Sequence, residues 1–230
     1  MTSGNTSGKK TQKRTLIEMG CYDPYITYDQ IQRICFFAVY HRLNAVSVPL
    51  YLVEKVRPYL ETVVKTACLI DFPYGYSTLA VKHHAIIEAC RQDVKIIEFT
   101  LNNGLIFNKE WDKIHHELKT TADLCKSKNV EFRVAVNYRF FEDEYVVDLA
   151  TSLAYAGVEG ILTNTGNLPD DPSDNILLSH KISKMTGINT ISSSPFYNKK
   201  HYETIQKSKV SGIRINNFNV AKEILGSDGV

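Results

Sequence analysis

Eight short apolar runs, each followed by a longer segment of helical periodicity, constrain this chain more than any other feature. The runs are Leu16–Gly20, Ala45–Val48, Ala67–Phe72, Lys95–Leu101, Glu131–Val136, Gly160–Thr163, Gly187–Ile191 and Gly212–Ile215. Most are apolar throughout rather than alternating, the pattern of strands buried on both faces of a parallel sheet. Helical patterns fill the gaps at Tyr28–Val39, Thr78–Arg91, Lys109–Lys128, Asp143–Ala156, Ser173–Met185, Lys199–Lys207 and Phe218–Leu225. Thr27 and Ser77 stand where N-caps belong, and Gly157 where a helix would end. Pro58 interrupts the pattern between the second and third runs, so the helix there is expected to be short or broken. Eight strand–helix units without a composition break predict one α/β domain over residues 15–230, most simply a closed (β/α)8 barrel, the TIM-barrel architecture. The alternative is a doubly wound open sheet. Against it, no G-x-G-x-x-G or G-x-x-x-x-G-K-S/T loop follows any of the runs.

Composition narrows the function classes. Of the 27 Lys and Arg residues four fall in residues 1–14, leaving 23 against 25 Asp and Glu in the rest. The body therefore lacks the basic face that nucleic-acid binding needs, and residues 1–14 are expected to form a disordered basic tail. No apolar run reaches the roughly 18–20 residues of a membrane span, so no membrane partner is expected. The five cysteines form no C-x-x-C pair, which points to reduced thiols in a cytoplasmic compartment. The pairs His83–His84 and His115–His116 lack the i, i+4 spacing of a helical zinc site, and neither metal nor cofactor is expected.

In a barrel the site lies where strands end and the following loops begin. Here those positions carry Glu98, Thr100 and Asn102 on the fourth unit, Asn137 on the fifth, and Leu162 and Asn164 on the sixth. Asn189, Ser192 and Ser193 follow on the seventh and Asn216 on the eighth, with Ser47 on the second. Amides and hydroxyls orient a polar ligand but are poor bases and worse nucleophiles. Glu98 is the one strong candidate acid or base, with a structural hydrogen-bond role as its alternative. If the five asparagines at or just past the strand ends (102, 137, 164, 189 and 216) converge around it, their neutral donors and acceptors suit a neutral polyol, sugar or nucleoside-like molecule rather than a sugar phosphate; alternatively they satisfy one another and the loops.

The segment Asp71-Phe72-Pro73-Tyr74-Gly75-Tyr76-Ser77-Thr78-Leu79-Ala80-Val81-Lys82 resembles the G-F-P-x-G-x-x-T-x-x-V-K signature of deoxyribose-phosphate aldolases. Leu16-Ile17-Glu18 through Pro24 and Thr27 is similar to that family's opening I-D-H-T-x-L-x-P-x-A-T. Ala45–Val48 is similar to its S-V-C-V strand, and Ala156–Gly166 to A-G-A-D-F-V-K-T-S-T-G. The resemblance implies a barrel and class I aldol cleavage, in which a lysine amine forms a Schiff base, a second lysine lowers its pKa and an aspartate moves protons. The departures carry as much meaning. The Schiff-base lysine falls on Leu162, the helper lysine on Asn189, and the aspartate on Glu98. In the opening motif the aspartate becomes Glu18 and the histidine Met19, and the phosphate-holding positions become Ser192-Ser193 and Asn216-Asn217. Lys65 and Lys95 lie at the wrong end of their strands to replace the lost amine, and Lys82 lies one turn into a helix. Arg139 and Arg214 stay protonated and could only bind anions.

Three roles follow from these readings. One is a pseudoenzyme that binds a small polar ligand. Another is a structural or interaction subunit, a homo-oligomer or part of an assembly. The third is an active lyase on a deoxyribose phosphate with relocated catalytic groups.

Overall fold

A computed structural model describes residues 15–60, 63–166, 169–194 and 197–227; the basic segment 1–14 lies outside the described residues. Eight parallel strands close into a barrel in chain order. They are β1 Leu16–Gly20, β2 Ala45–Pro49, β3 Lys65–Ile70, β4 Ile96–Thr100, β5 Glu131–Ala135, β6 Gly160–Leu162, β7 Asn189–Ser194 and β8 Gly212–Ile215. Around them run α1 Tyr28–Tyr40, α2 Val53–Leu60, α3 Leu79–Arg91, α4 Asn103–Phe107, α5 Trp111–Ser127, α6 Asp143–Ala156, α7 Pro172–Thr186, α8 Lys199–Gln206 and α9 Phe218–Leu225. The fold is the closed (β/α)8 barrel, not the open sheet. None of the described helices is long and apolar enough to cross a membrane.

Alternation along each strand sorts side chains between two cores. Val46, Val48, Cys68, Ile70, Ile97, Phe99, Phe132, Val134, Ile161, Ile213 and Ile215 pack outward against the helices in one continuous cluster. The intervening residues face the barrel axis, where Ala45, Ala67 and Ile96 form one small apolar cluster and Ala135, Leu162 and Ile191 another. Local chemistry fixes several element ends. Thr27 caps α1 in a reciprocal capping box with Gln30, and Gly157 ends α6 at φ 92°. The helix α2, with Pro58 inside it, is only eight residues long.

Four boundary expectations are corrected. The seventh strand is Asn189–Ser194 rather than Gly187–Ile191, because Gly187 turns left-handed at φ 74° to end α7. The serines Ser192–Ser194 then pair with Ile213–Ile215. The third strand stops at Ile70, since Asp71 takes a left-handed φ of 59°. Thr78, not Ser77, occupies the N-cap of α3; the Ser77 amide and hydroxyl both donate to the Asp71 carboxylate, each at 2.7 Å. The short α4 falls where the sequence reads as a loop; the Asn102 side chain starts it by accepting from the amides of Gly104 and Leu105.

The loop after β3 packs tightly on its neighbour. Gly75 sits at φ 74°, and a Cβ there would lie 2.5 Å from the Leu101 carbonyl oxygen. Gly75→Ala is therefore expected to cost about 2 kcal/mol or more, since the left-handed penalty alone is ~1–2 kcal/mol. Urea denaturation checks it, and an unchanged midpoint would contradict it.

Candidate functional site

The centre of the barrel is ionic. Glu18 on β1, Glu98 on β4, Arg133 on β5 and Arg214 on β8 each stand between apolar neighbours in a strand, point inward, and are buried. Arg214 holds Glu98 with both terminal nitrogens: Nη1 donates to Oε2 at 2.6 Å, and Nη2 donates to Oε1. Nη2 also donates to Glu18 Oε2 at 2.6 Å, and Arg133 Nη1 donates to Glu18 Oε1 at 2.7 Å. The Ser47 hydroxyl donates to Glu98 Oε2 at 2.5 Å. Arg133 Nη1 stands 3.7 Å from Glu98 and its Nε reaches Glu131 at 2.7 Å.

These contacts set the protonation states. Burial by itself would raise the Glu18 pKa, but the facing Arg133 and Arg214 guanidinium groups outweigh it and hold Glu18 below the ordinary carboxylate range. Burial likewise opposes the charge on Arg133 and Arg214, and the carboxylates around them outweigh it, raising both. Two acids and two bases neutralise one another. Glu98, the candidate acid or base, has both oxygens taken up by Arg214 and Ser47.

The remaining predicted residues divide by position. Leu162 ends β6 and faces the axis, buried against Ala135 and Ile191. Thr100 and Ser193 are buried on the same inner surface, Ser193 beside Arg214 in register. Asn137 and Asn164 meet in the loops after β5 and β6. Asn137 Oδ1 accepts from the Thr165 amide and hydroxyl at 3.2 and 3.0 Å, and Asn164 Oδ1 accepts from the Gly166 amide at 2.8 Å. Asn102 is spent on the cap of α4. Asn216 accepts from the Tyr22 hydroxyl at 2.6 Å. Tyr22, which sequence reasoning passed over, packs its ring tilted against Phe72 at 4.8 Å and lies so close to Gly166 that a Cβ there would be 2.5 Å from its oxygen. Burial raises the Tyr22 pKa, so its hydroxyl stays neutral.

Two expectations are corrected. Asn189 begins β7, so it lies at the opposite end of the barrel from the mouth, exposed and bonded to Ser211 at 3.3 Å. Ser192 is buried but points away from the axis; it donates to Asn175 Oδ1 on α7 at 2.6 Å and lies 2.6 Å from the Tyr197 hydroxyl. Asn175 is a hub the sequence did not disclose: it also accepts from Thr163 at 2.6 Å and donates to the Asp170 carboxylate at 2.6 Å. The Asp170 pKa is raised by burial. An asparagine in the first turn of a helix reads as a cap or surface residue, so only packing against β6 and β7 reveals its role.

Lys82 lies behind the barrel wall rather than in the mouth. It is buried, with Nζ 2.7 Å from Glu117 Oε1, 3.6 Å from Asp71 Oδ2 and 4.5 Å from the outward-facing Phe99 ring. A surface position for Lys82 is thus excluded, and the signature segment works here as a loop clamp. His83 bonds Thr121 at 3.0 Å, and among the described residues no group of His, Cys, Asp and Glu could hold a metal ion.

No protein-family model matches the chain. A deoxyribose-phosphate aldolase of Thermotoga sp. (strain RQ2) is 28% identical over 154 residues, 66% of this chain and 61% of the relative. One from Treponema denticola is 27% identical over 144 residues, 62% of this chain and 67% of the relative. The chain thus matches about three fifths of the length of the first of these relatives. Among solved structures, the tetrameric deoxyribose phosphate aldolase of Aeropyrum pernix superposes with a TM-score of 0.79 at 18% identity, covering 91% of this chain and 87% of that one. In sequence over two thirds of its length and in fold over nine tenths, the chain is similar to the deoxyribose-phosphate aldolases, the family its loop signature resembles.

Proposed function

We propose that the chain is an aldolase-like barrel without Schiff-base chemistry that works as a non-catalytic interaction body. One observation carries this reading: the barrel centre, where an aldolase needs a free amine, is filled by a self-neutralised ion network beside a leucine. An imine requires a primary amine that can lose its proton. Leucine has none, guanidinium groups do not supply one, and Lys82 lies on the far side of the wall, clamped by two carboxylates. The loop amides are engaged by backbone and by Tyr22, which supports a structural use of the mouth. The five free thiols suit a reducing, cytoplasmic compartment.

Incubation with deoxyribose 5-phosphate and borohydride, followed by intact-mass measurement, tests the reading. No adduct is expected; a reduced adduct on any lysine of the chain would restore the active-lyase reading.

A second reading, binding of a small neutral polyol, is favoured by Thr100 Oγ1, Arg214 Nε and Asn216 Nδ2, three buried polar atoms without a hydrogen-bond partner among the described residues. The neutralisation of Arg133 and Arg214 by Glu18 and Glu98 disfavours a phosphate dianion at that place. Calorimetry with deoxyribose and its 5-phosphate separates the readings. Tighter binding of the neutral sugar supports the polyol, tighter binding of the phosphate sinks it, and binding of neither supports the interaction body.

A further inference from the structure

A cavity of about 290 Å³ opens outside the barrel wall, between α4, α5 and α6. Its floor is Ile106 and Leu149, both buried in the outer core. Four aromatic side chains make its walls: Phe107 at the end of α4, Trp111 at the start of α5, Phe141 just before α6, and Tyr145 in the first turn of α6. The Phe107 and Phe141 rings stand 5.6 Å apart, tilted by 32°. A core that could close on these rings would bury roughly 150–250 Å² of each. Instead Phe107 and Tyr145 are 58 and 41% exposed, and the four rings enclose open space.

Among the described residues two charged side chains complete the lining. Lys109 takes a left-handed φ of 55° in the turn between α4 and α5, and its Nζ stands 5.8 Å over the Tyr145 ring. Glu110, next to it in the chain, pairs with Lys113. Glu142 lines the opposite, α6 edge, is exposed, and opens the acidic run Glu142-Asp143-Glu144. Each single-charge ligand meets an objection here. Aromatic faces attract a cation, but the Lys109 ammonium already stands over one of them. An aromatic anion would suit Lys109 but face Glu142. A molecule with both charges and an apolar body answers all three features. The volume sits at the lower edge of ligand sites, roughly 300–1,000 Å³, which suits one side chain rather than a nucleotide.

We propose that this cavity binds a free zwitterionic α-amino acid with a large apolar side chain. The side chain enters between the rings, the carboxylate pairs with Lys109, and the ammonium pairs with Glu142. The proposal is independent of the reading of the barrel centre, since none of these residues lies on a strand.

Trp111 is the chain's only tryptophan, so its fluorescence reports on this cavity alone. L-Phenylalanine, added to the full chain, is expected to change Trp111 emission saturably, with a Kd on the order of 1 mM for a ligand of this size. Calorimetry on the same samples detects a complex that leaves the fluorescence unchanged. Phenylacetate lacks the ammonium, phenethylamine lacks the carboxylate, and N-acetylphenylalaninamide lacks both charges. Each is expected to bind roughly 10-fold more weakly, the factor of one charged hydrogen bond. Lys109→Met and, separately, Glu142→Gln should weaken L-phenylalanine by about the same factor. Both positions are exposed, and far-ultraviolet circular dichroism verifies that each variant is folded. Absence of saturable L-phenylalanine binding overturns the proposal, as do folded variants that bind it like the wild type. Equal or tighter binding of any of the three analogues overturns it too; for N-acetylphenylalaninamide that result would make the cavity a contact for a side chain of another protein. None of these results touches the imine-trapping outcome, so failure here is distinct from failure of the non-catalytic reading.

Discussion

Arg214→Met is expected to destabilise the fold by about 3–5 kcal/mol, the usual cost of removing one partner from a buried ion pair. Three contacts vanish at once: two onto Glu98 and one onto Glu18. Glu98 then keeps only the Ser47 hydroxyl and Arg133 at 3.7 Å, an uncompensated carboxylate in a place water does not reach. The companion variant Glu98→Met/Arg214→Met removes both members of the bidentate pair, leaves Glu18 with Arg133, and should recover a large part of the loss, because a pair removed together leaves no orphaned charge. Urea denaturation of both variants measures this. A loss below about 1 kcal/mol for Arg214→Met would show that the network is not stabilising in the way its geometry implies.

The same network sets an acid limit. Glu18 has its folded-state pKa depressed by Arg133 and Arg214 despite its burial. Its contribution is therefore present above the unfolded-state value, about 4.3, and is lost as pH falls through the depressed folded value. Wild-type stability should fall in that acid window.

Lys82→Met is expected to cost about 3 kcal/mol or more at neutral pH. Lys82 is the cation between Glu117 and Asp71 behind the β3 loop, and its loss leaves two carboxylates facing each other in a mostly buried space. Burial already raises the Glu117 pKa against the pull of Lys82, so removing the ammonium raises it further. A carboxyl with a raised folded pKa favours the fold when protonated, and that contribution disappears as pH rises through the folded value. The deficit of the variant should accordingly narrow as pH falls from neutral towards about 5. A deficit that stays constant over that range would mean Glu117 does not sense Lys82. Because Lys82 is not in the barrel mouth, this variant also separates the structural use of the signature from any catalytic one: it should change stability without creating or abolishing an imine adduct.

Much of the architecture was legible in the residues. Mostly apolar runs such as Ala45-Val46-Ser47-Val48 and Gly160-Ile161-Leu162 call for cover on both faces, so eight such runs with intervening helices left few choices. Errors at element ends have local causes. Gly187–Ile191 reads as the seventh run and Ser192–Ser194 as a loop, which places Asn189 near a strand end. Serine has little strand preference of its own, and only pairing with β8 makes it strand. The candidate site was legible in what it lacks, an amine at Leu162, and illegible in what it contains. In the sequence Glu18, Glu98, Arg133 and Arg214 each stand between apolar neighbours in a strand, and nothing local joins them. A stricter parity count would have pointed all four inward, since their neighbours Ile17, Met19, Ile97, Phe99, Phe132, Val134, Ile213 and Ile215 belong to the outer core.

The sequence by itself determined the barrel and the side chain without an amine at Leu162, because each depends on periodicity or on one residue's own chemistry. Tertiary structure decided what occupies the centre. Glu98 and Arg214 are 116 positions apart, and Glu18 and Arg214 are 196 apart. Whether such charges meet as partners, face solvent or remain open to a ligand depends on the register and closure of all eight strands, and no local pattern encodes that.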